Sequence, residues 1–407
     1  MSYEFPVIKN ISDVLPAIAG KEEFIVAERN GFNVINYLVN YELTFENPNE
    51  EGISEQESLY RTIRRECRGI IFDSKNGKIL RRPMNKFFNL GEKEETRSEN
   101  IDISKPHVIL DKLDGSFIAP FFSSDPLTNA DTRIIFGTKM GETDQSAQVD
   151  EFLKDKPNYH DFADNLLTLG YTPVFEFTSP ANRIVINYKE TKLTLLCVRD
   201  QHTGVYMPYD KLVELANKYD IPVVNALPGG IQNMEKFVAE TRALQGEEGY
   251  VITFDDGLRL KLKSDEYVLM HKTKDSISQE KNLLELILTD KIDDTLSLLS
   301  KEDADKVRKY ADSVLHRISE IASSATEIVA YQKILLNNEK KRFALEFIPH
   351  HKEYSGILFA VWDGKDARDA IVKQVLNNCS TQTKVNSVRQ FLGPLIWNDI
   401  YTAVNGD

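Results

Sequence analysis

The sequence predicts an α+β protein: a region of antiparallel sheets up to about residue 270, then an all-helical region over 271–407. Short strand-like runs broken by turn residues recur up to about residue 265. Beyond that point Val307, Tyr310, Ala311, Val314, Leu315, Ile318 and Ile321 repeat at three- and four-residue spacing, which marks one helix face. The charge divides at the same place. Residues 271–407 hold 19 basic and 20 acidic residues, net −1, against 31 and 43, net −12, in residues 1–270.

In chain order, GIIFD (69–73), HVILD (107–111), FIAPFF (117–122), RIIFGT (133–138), PVFEF (173–177) and KLTLLCV (192–198) are the predicted strands. GYVITF (249–254) and LRLKLK (258–263) form a hairpin, because Asp255-Asp256-Gly257 between them tolerates positive φ. Helices are expected over 210–220 (DKLVELANKYD), 233–244 (NMEKFVAETRAL) and 366–378 (DARDAIVKQVLNN). Residues 41–60 carry six glutamates and no basic residue, and Arg61, Arg64, Arg65 and Arg68 follow. The expectation for 41–60 is a solvated loop entering a charged helix. Arg68, at the start of a buried strand, is instead placed inward.

The chain has 407 residues, with 50 Lys+Arg against 63 Asp+Glu, a net charge of −13 and 41% hydrophobic residues. That composition forms a core, and the acidic total excludes broad coating of nucleic acid by charge. Cys67, Cys197 and Cys379 are far apart, which argues against a disulfide scaffold and fits a reducing, intracellular setting. The N-terminus MSYEFPVIKN has no secretory pattern, no run of about 18 apolar residues suggests a membrane span, and no HExxH spacing suggests a metalloprotease.

The chemistry centres on Asp111-Lys112-Leu113-Asp114-Gly115-Ser116. One strand delivers Lys112, Asp-Gly makes a tight turn, and a second strand leaves. Such a lysine becomes a nucleophile only after losing a proton, which desolvation or neighbouring cations favour. KxDG alone is also what an exposed hairpin produces. Three other features accompany it. Glu176 lies between Phe175 and Phe177, so alternation sends it to the face opposite the two rings. Glu248 stands at a strand edge. Lys261 and Lys263 share one strand face, where two ammonium groups repel unless an anion such as a polyphosphate lies between them.

In this order, KLDGS, FEF, EGYV and LKLK resemble the first, third, fourth and fifth motifs of the covalent nucleotidyltransferases, the ligases and capping enzymes. ECRGIIFD (66–73), RRPMNKFFNLGE (81–92), FTSPANRIVINY (177–188) and LKSDEYVLMHKTK (262–274) narrow the resemblance to the RNA ligase 1 family of T-even phages, over roughly 35–275. It implies an antiparallel-sheet nucleotidyltransferase domain of ATP-grasp-like ligase type over 1–270. The helical region 271–407 would be a tRNA-specificity module, and its stretch 331–390, with 10 basic and 6 acidic residues, permits RNA contact. The acidic stretch 41–60 is longer than the family's usual linker, and its role is open.

The resemblance implies an ATP-dependent RNA ligase (EC 6.5.1.3) joining 5′-phosphate and 3′-hydroxyl RNA ends, as in tRNA broken in the anticodon loop. Lys112 would take AMP from ATP. Asp114 and Gly115 would shape its loop, and Lys261 and Lys263 would neutralise the α-phosphate. Arg68 and Lys86 would contact nucleotide phosphates or the RNA 5′-phosphate, and Lys139 would also meet a phosphate. Glu176 would bind ribose or water around Mg²⁺ (Mn²⁺ also serving), Glu248 would help hold the metal, and Asp293 would bring a carboxylate near it. Tyr37 and Tyr267 match tyrosines near the nucleotide, with packing as the alternative. A monomer in the cytoplasm of an infected bacterium, helped by an end-healing kinase-phosphatase, completes the expectation. The rivals are a DNA ligase or capping enzyme, which normally appends a strand-rich OB-fold, and a catalytically silent RNA-binding scaffold.

Overall fold

The computed structural model describes residues 4–41, 43–123, 133–181, 184–379, 382–393 and 397. Asn182 and Arg183, within the PANRIV string, lie outside them. The chain divides into two compact units between Val268 and Leu269.

The first unit is built on three four-stranded sheets. One takes β1 (Phe24–Arg29), β2 (Phe32–Tyr37), β3 (Arg68–Asp73) and β4 (Ile79–Arg81) in that order. The others use β5 (Phe88–Asn89), β6 (His107–Asp111), β7 (Ser116–Ser123), β8 (Arg133–Gly137), β9 (Tyr171–Thr178), β10 (Lys192–Asp200), β11 (Gly249–Phe254) and β12 (Arg259–Lys263). Their orders are β10-β9-β7-β8 and β5-β12-β11-β6. All pairings are antiparallel except the short parallel contact of β5 with β12.

The predicted strands are all present, extended by one or two residues at several ends and shortened by one at Thr138 and at Leu258. The β1–β2 hairpin and the helices Asp144–Leu153 and Pro157–Thr168 are additional. Tyr159, Phe162, Ala163, Leu166 and Leu167 form the buried stripe of the latter helix, which packs on Ile118, Phe175 and Leu195 of the second sheet. The first sheet meets that same sheet through Phe32, Val34, Ile71, Phe121 and Ile135. The third sheet is backed by the helix Met234–Arg242, through Ile252, Leu260 and Phe237.

The consequence for function lies between β6 and β7. β6 belongs to the third sheet and β7 to the second, so the chain changes sheets at Lys112–Gly115. A side chain on that crossing is fixed from both sides.

The described residues of 41–60 do form a largely exposed loop entering the charged helix Glu55–Glu66, but Thr44, Phe45 and Pro48 are buried and some of the glutamates are paired. Arg61 meets Glu46 at 3.2 Å and Glu57 at 3.2 Å and also contacts Glu50, while Arg64 meets Glu57 at 2.8 Å. Arg61, Arg64 and Arg65 are buried on the helix Glu55–Glu66, so the glutamates neutralise cations that burial would otherwise leave unpaired.

The second unit is helical in its described residues. The 35-residue helix Lys301–Leu335 is the longest element, and Ser300 caps it by accepting the Asp303 N–H. Helices Glu280–Leu288, Ser355–Trp362, Ala367–Asn377 and Gln382–Leu392 share one core with it, including Leu283, Val307, Val314, Ile318, Phe343 and Ile371. Within this core the Glu280 carboxylate accepts from Tyr310 Oη at 2.7 Å and pairs with Arg389. Among the described residues no helix is long and apolar enough to cross a membrane.

Candidate active site

Lys112 is held at its backbone. Its N–H donates to the Gly249 carbonyl at 2.9 Å, and the Asp111 N–H donates to Asn225 O at 3.0 Å. Asp114 is buried and closes the loop. One carboxylate oxygen accepts the N–H groups of Val185 (2.6 Å) and Ile186 (2.7 Å), and the other accepts Tyr267 Oη–H at 2.7 Å. Its own N–H donates to Tyr188 Oη at 2.9 Å. The next N–H, of Gly115, donates to Glu176 Oε1 at 3.0 Å. A Cβ on Gly115 would stand 2.4 Å from the Phe177 carbonyl oxygen, so only glycine admits this approach of β9.

β11 and β12 bring the charged groups. Glu248 lies just before β11, with its side chain buried. Its Oε1 meets Lys112 Nζ at 2.5 Å and Lys263 Nζ at 3.3 Å, whereas the buried Oε2 has no hydrogen-bond partner. Gly249 follows with φ +134°, and a Cβ there would lie 2.1 Å from Leu262 O. Glycine therefore lets β12 come close enough for Lys263 to share Glu248 with Lys112.

Lys261 occupies the same face of β12 as Lys263. Burial pulls its ammonium down to about 7 from an ordinary value near 10.5, and Lys112, Lys86, Arg68 and Lys263 add like-charge repulsion. Those four are all among the sequence-predicted cations, so the fold brings them together around Lys261. Arg68 opens β3 with its guanidinium 5.9 Å from the Phe117 centroid, and its buried Nη1 has no hydrogen-bond partner. Lys86 Nζ is 3.5 Å from Tyr37 Oη and faces three rings. Tyr267 serves the loop through Asp114, and its ring lies 5.0 Å from Lys263 Nζ. Lys139 is buried in the turn after β8, its backbone against Gly69 beside Arg68. Asp293 is exposed on the short helix Ile292–Leu296 of the second unit.

Three contributors carried no assigned role in the sequence. Arg81 is fully buried and donates to four carbonyls, those of Gly69, Ala119, Gly137 and Lys139 at 2.9–3.3 Å. It ties β3, β7 and the turn bearing Lys139 together, and burial without a carboxylate lowers it to about 9. Glu66 joins Arg82 (3.1 Å) and Arg199 (2.6 Å) in a second buried hub. Tyr188 supports the Asp114 loop, and burial pushes its phenol up. Arg81, Arg82 and Tyr188 all fall inside the strings RRPMNKFFNLGE and FTSPANRIVINY, which was the available signal.

Magnesium favours one or two carboxylates together with substrate phosphates and water over an all-protein cage. Among the described residues no cluster of three or more potential ligands could hold a metal by itself. The unpartnered Oε2 of Glu248, beside a cation-lined pocket, does suit a cation that arrives with a phosphate.

The geometry defines a class: a half-buried lysine on a rigid loop, beside a carboxylate and two further lysines, an arrangement suited to meeting a phosphorylated group. The family follows from comparison. Residues 66–277, slightly more than half of the chain, match the RNA ligase family, and the chain belongs to it. It is 28% identical over 333 residues to a candidate RNA ligase of Thermovibrio ammonificans, covering 78% of this chain and 80% of that protein. It is 25% identical over 330 residues to RNA ligase 1 of bacteriophage TS2126, covering 76% and 78%. A candidate bifunctional polynucleotide kinase/RNA ligase of Autographa californica nuclear polyhedrosis virus is 27% identical over 258 residues, covering 57% of this chain and 34% of that one.

Proposed function

We propose that this chain is an ATP-dependent RNA ligase of the type found in T-even phages (EC 6.5.1.3), working through a lysyl-AMP at Lys112. The observation that carries the reading is the contact of Lys112 Nζ with Glu248, which also binds Lys263, beside the depressed Lys261.

In the first step the Lys112 amine attacks the α-phosphorus of ATP. The N–P bond forms, the bond to the bridging oxygen breaks, pyrophosphate leaves, and the amine proton passes to solvent. Lys261, Lys263 and Arg68 balance the charge on the phosphates, while the Asp114 clasp holds the nucleophile in line. In the second step an oxygen of the RNA 5′-phosphate displaces Lys112 from the AMP phosphorus. In the third the 3′-hydroxyl of the other end attacks the 5′-phosphate, AMP leaves, and the phosphodiester is closed. Glu248 and Glu176 would hold Mg²⁺, with Mn²⁺ as a substitute. The ion supplies Lewis-acid polarisation of the phosphate oxygens.

Residues 1–270 are the adenylyltransferase domain in this reading, and 271–407 select a tRNA broken in the anticodon loop. The setting it implies is a monomer in the cytoplasm of an infected bacterium. Ends left with the wrong phosphates need a kinase-phosphatase first. The name of the Autographa californica relative, which joins a kinase to a ligase, supports that pairing.

The test is incubation with α-labelled ATP and Mg²⁺. Covalent label on the wild-type protein and none on Lys112→Ala is expected. A wild-type protein that never labels overturns the proposal.

A further inference from the structure

The acidic segment before the helix Glu55–Glu66 has a structural task that its composition conceals. Arg61 Nη1 donates to Asn47 O at 2.9 Å, and Arg65 Nη2 donates to Glu46 O at 3.1 Å. With the ion pairs of Arg61 to Glu46 and Glu50, these bonds fasten residues 46–50 to the helix. The residue just before the fastened stretch is Phe45, which is 0% exposed. Its ring meets Tyr37 edge-on at 5.2 Å and Phe88 at 6.2 Å.

All three rings face Lys86. Its ammonium lies 4.9 Å from the Tyr37 centroid, 5.4 Å from Phe45 and 5.7 Å from Phe88. The Lys86 N–H donates to Arg65 O at 2.6 Å, so the helix that grips the acidic segment also fixes the Lys86 backbone. Among the described residues no carboxylate pairs with Lys86, in contrast to Lys112 and Lys263, which share Glu248. The distinction matters for chemistry. A carboxylate would hold the ammonium by cancelling its charge. Ring faces hold it through their quadrupoles and leave the whole charge for a phosphate.

We infer that Phe45 is a positioning residue for Lys86 and Tyr37, and that the glutamate-rich segment is a clamp that seats it. This rests on the proposed ligase reading, because the step served by Lys86 is the readout. The segment's acidity then serves its own helix and leaves RNA to the pocket.

The experiment replaces Phe45 with 4-fluoro-, 3,5-difluoro- and 3,4,5-trifluorophenylalanine in the full-length chain. Fluorine drains the ring face of negative charge with little change in volume. Self-adenylylation, transfer to 5′-phosphorylated RNA and sealing of pre-adenylylated RNA are timed separately, and Lys86→Met marks the step that uses the ammonium. The expected result is a graded loss in that same step, about tenfold in kcat/KM at the trifluoro ring, with an unchanged melting temperature. Phe45→Leu should lose at least as much. Wild-type protein that fails to label with ATP overturns the ligase reading itself. Protein that labels normally, with a flat fluorine series or an unimpaired Lys86→Met, overturns the role of Phe45.

Discussion

Replacing Lys261 with methionine removes a cation that the ligand-free fold accommodates by giving up its proton. The magnitude follows from the fall from about 10.5 to about 7, driven first by burial and then by Lys112, Lys86, Arg68 and Lys263. At about 1.36 kcal/mol per pH unit, that displacement corresponds to about 5 kcal/mol. Between those two values the unfolded chain binds more protons than the folded one, so wild-type stability rises with pH through the window. Below about pH 7 the folded state must keep the ammonium among its neighbours, and the whole destabilisation is present. Methionine has nearly the same reach and no charge. The variant should therefore be more stable than wild type by about 5 kcal/mol near pH 6, about 3 near pH 8 and less than about 1 near pH 10.

Urea unfolding of both proteins, without nucleotide and with chelator, measures the difference at each pH. A gap that stays constant with pH refutes the assignment, as does a variant less stable than wild type near pH 6. The same variant should fail to take up label from ATP, since the charge that destabilises the empty pocket is the one proposed to meet the α-phosphate. A variant that gains stability and keeps full activity would also refute the reasoning.

Gly249→Ala puts a Cβ 2.1 Å from Leu262 O at φ +134°, so β11 and β12 must separate. About 2–4 kcal/mol of stability should be lost in thermal unfolding, together with adenylylation, because Glu248 moves with the strand. In Glu66, burial pushes the carboxyl up, but Arg199 and Arg82 outweigh it and hold the group near about 2. Its contribution is complete above the ordinary value of 4.5 and disappears as pH falls toward 2, about 3 kcal/mol in an acid titration of the fold. Glu66→Ala leaves Arg82 and Arg199 buried without their carboxylate and should cost about 3–5 kcal/mol at neutral pH.

The sequence was most legible where one residue type answers a local geometric need. Asp255-Asp256-Gly257 announced the β11–β12 hairpin, and the alternation of Phe175, Glu176 and Phe177 correctly separated the core face from the site face. Other elements also carry local signals. Asn30-Gly31 is a strong hairpin turn between β1 and β2, and Tyr159, Phe162, Ala163, Leu166 and Leu167 follow helical spacing. Other features could not be read locally. Arg81 looks like any strand arginine until β3, β7 and the Lys139 turn supply four carbonyls from distant parts of the chain. Glu46, Glu50 and Glu57 look solvated because their partners become buried only when the segment folds back on its helix.

The five cations of the pocket show four physical answers to the problem of burying positive charge. Lys112 and Lys263 divide one carboxylate oxygen of Glu248 between them. Lys261 lowers its proton affinity. Lys86 rests among ring faces. Arg68 leaves a buried N–H unanswered beside Phe117. The first sets a negative charge against the cations, and one carboxylate between two lysines cancels half of their charge. The pocket thus remains cationic within a chain of net charge −13. A phosphate would answer all four at once, restoring the proton to Lys261, meeting the free N–H of Arg68 and giving the caged Lys86 its counter-charge. The overall acidity and the basic pocket are therefore compatible: one describes the solvated exterior, the other a site whose electrostatic balance is completed by an anionic substrate.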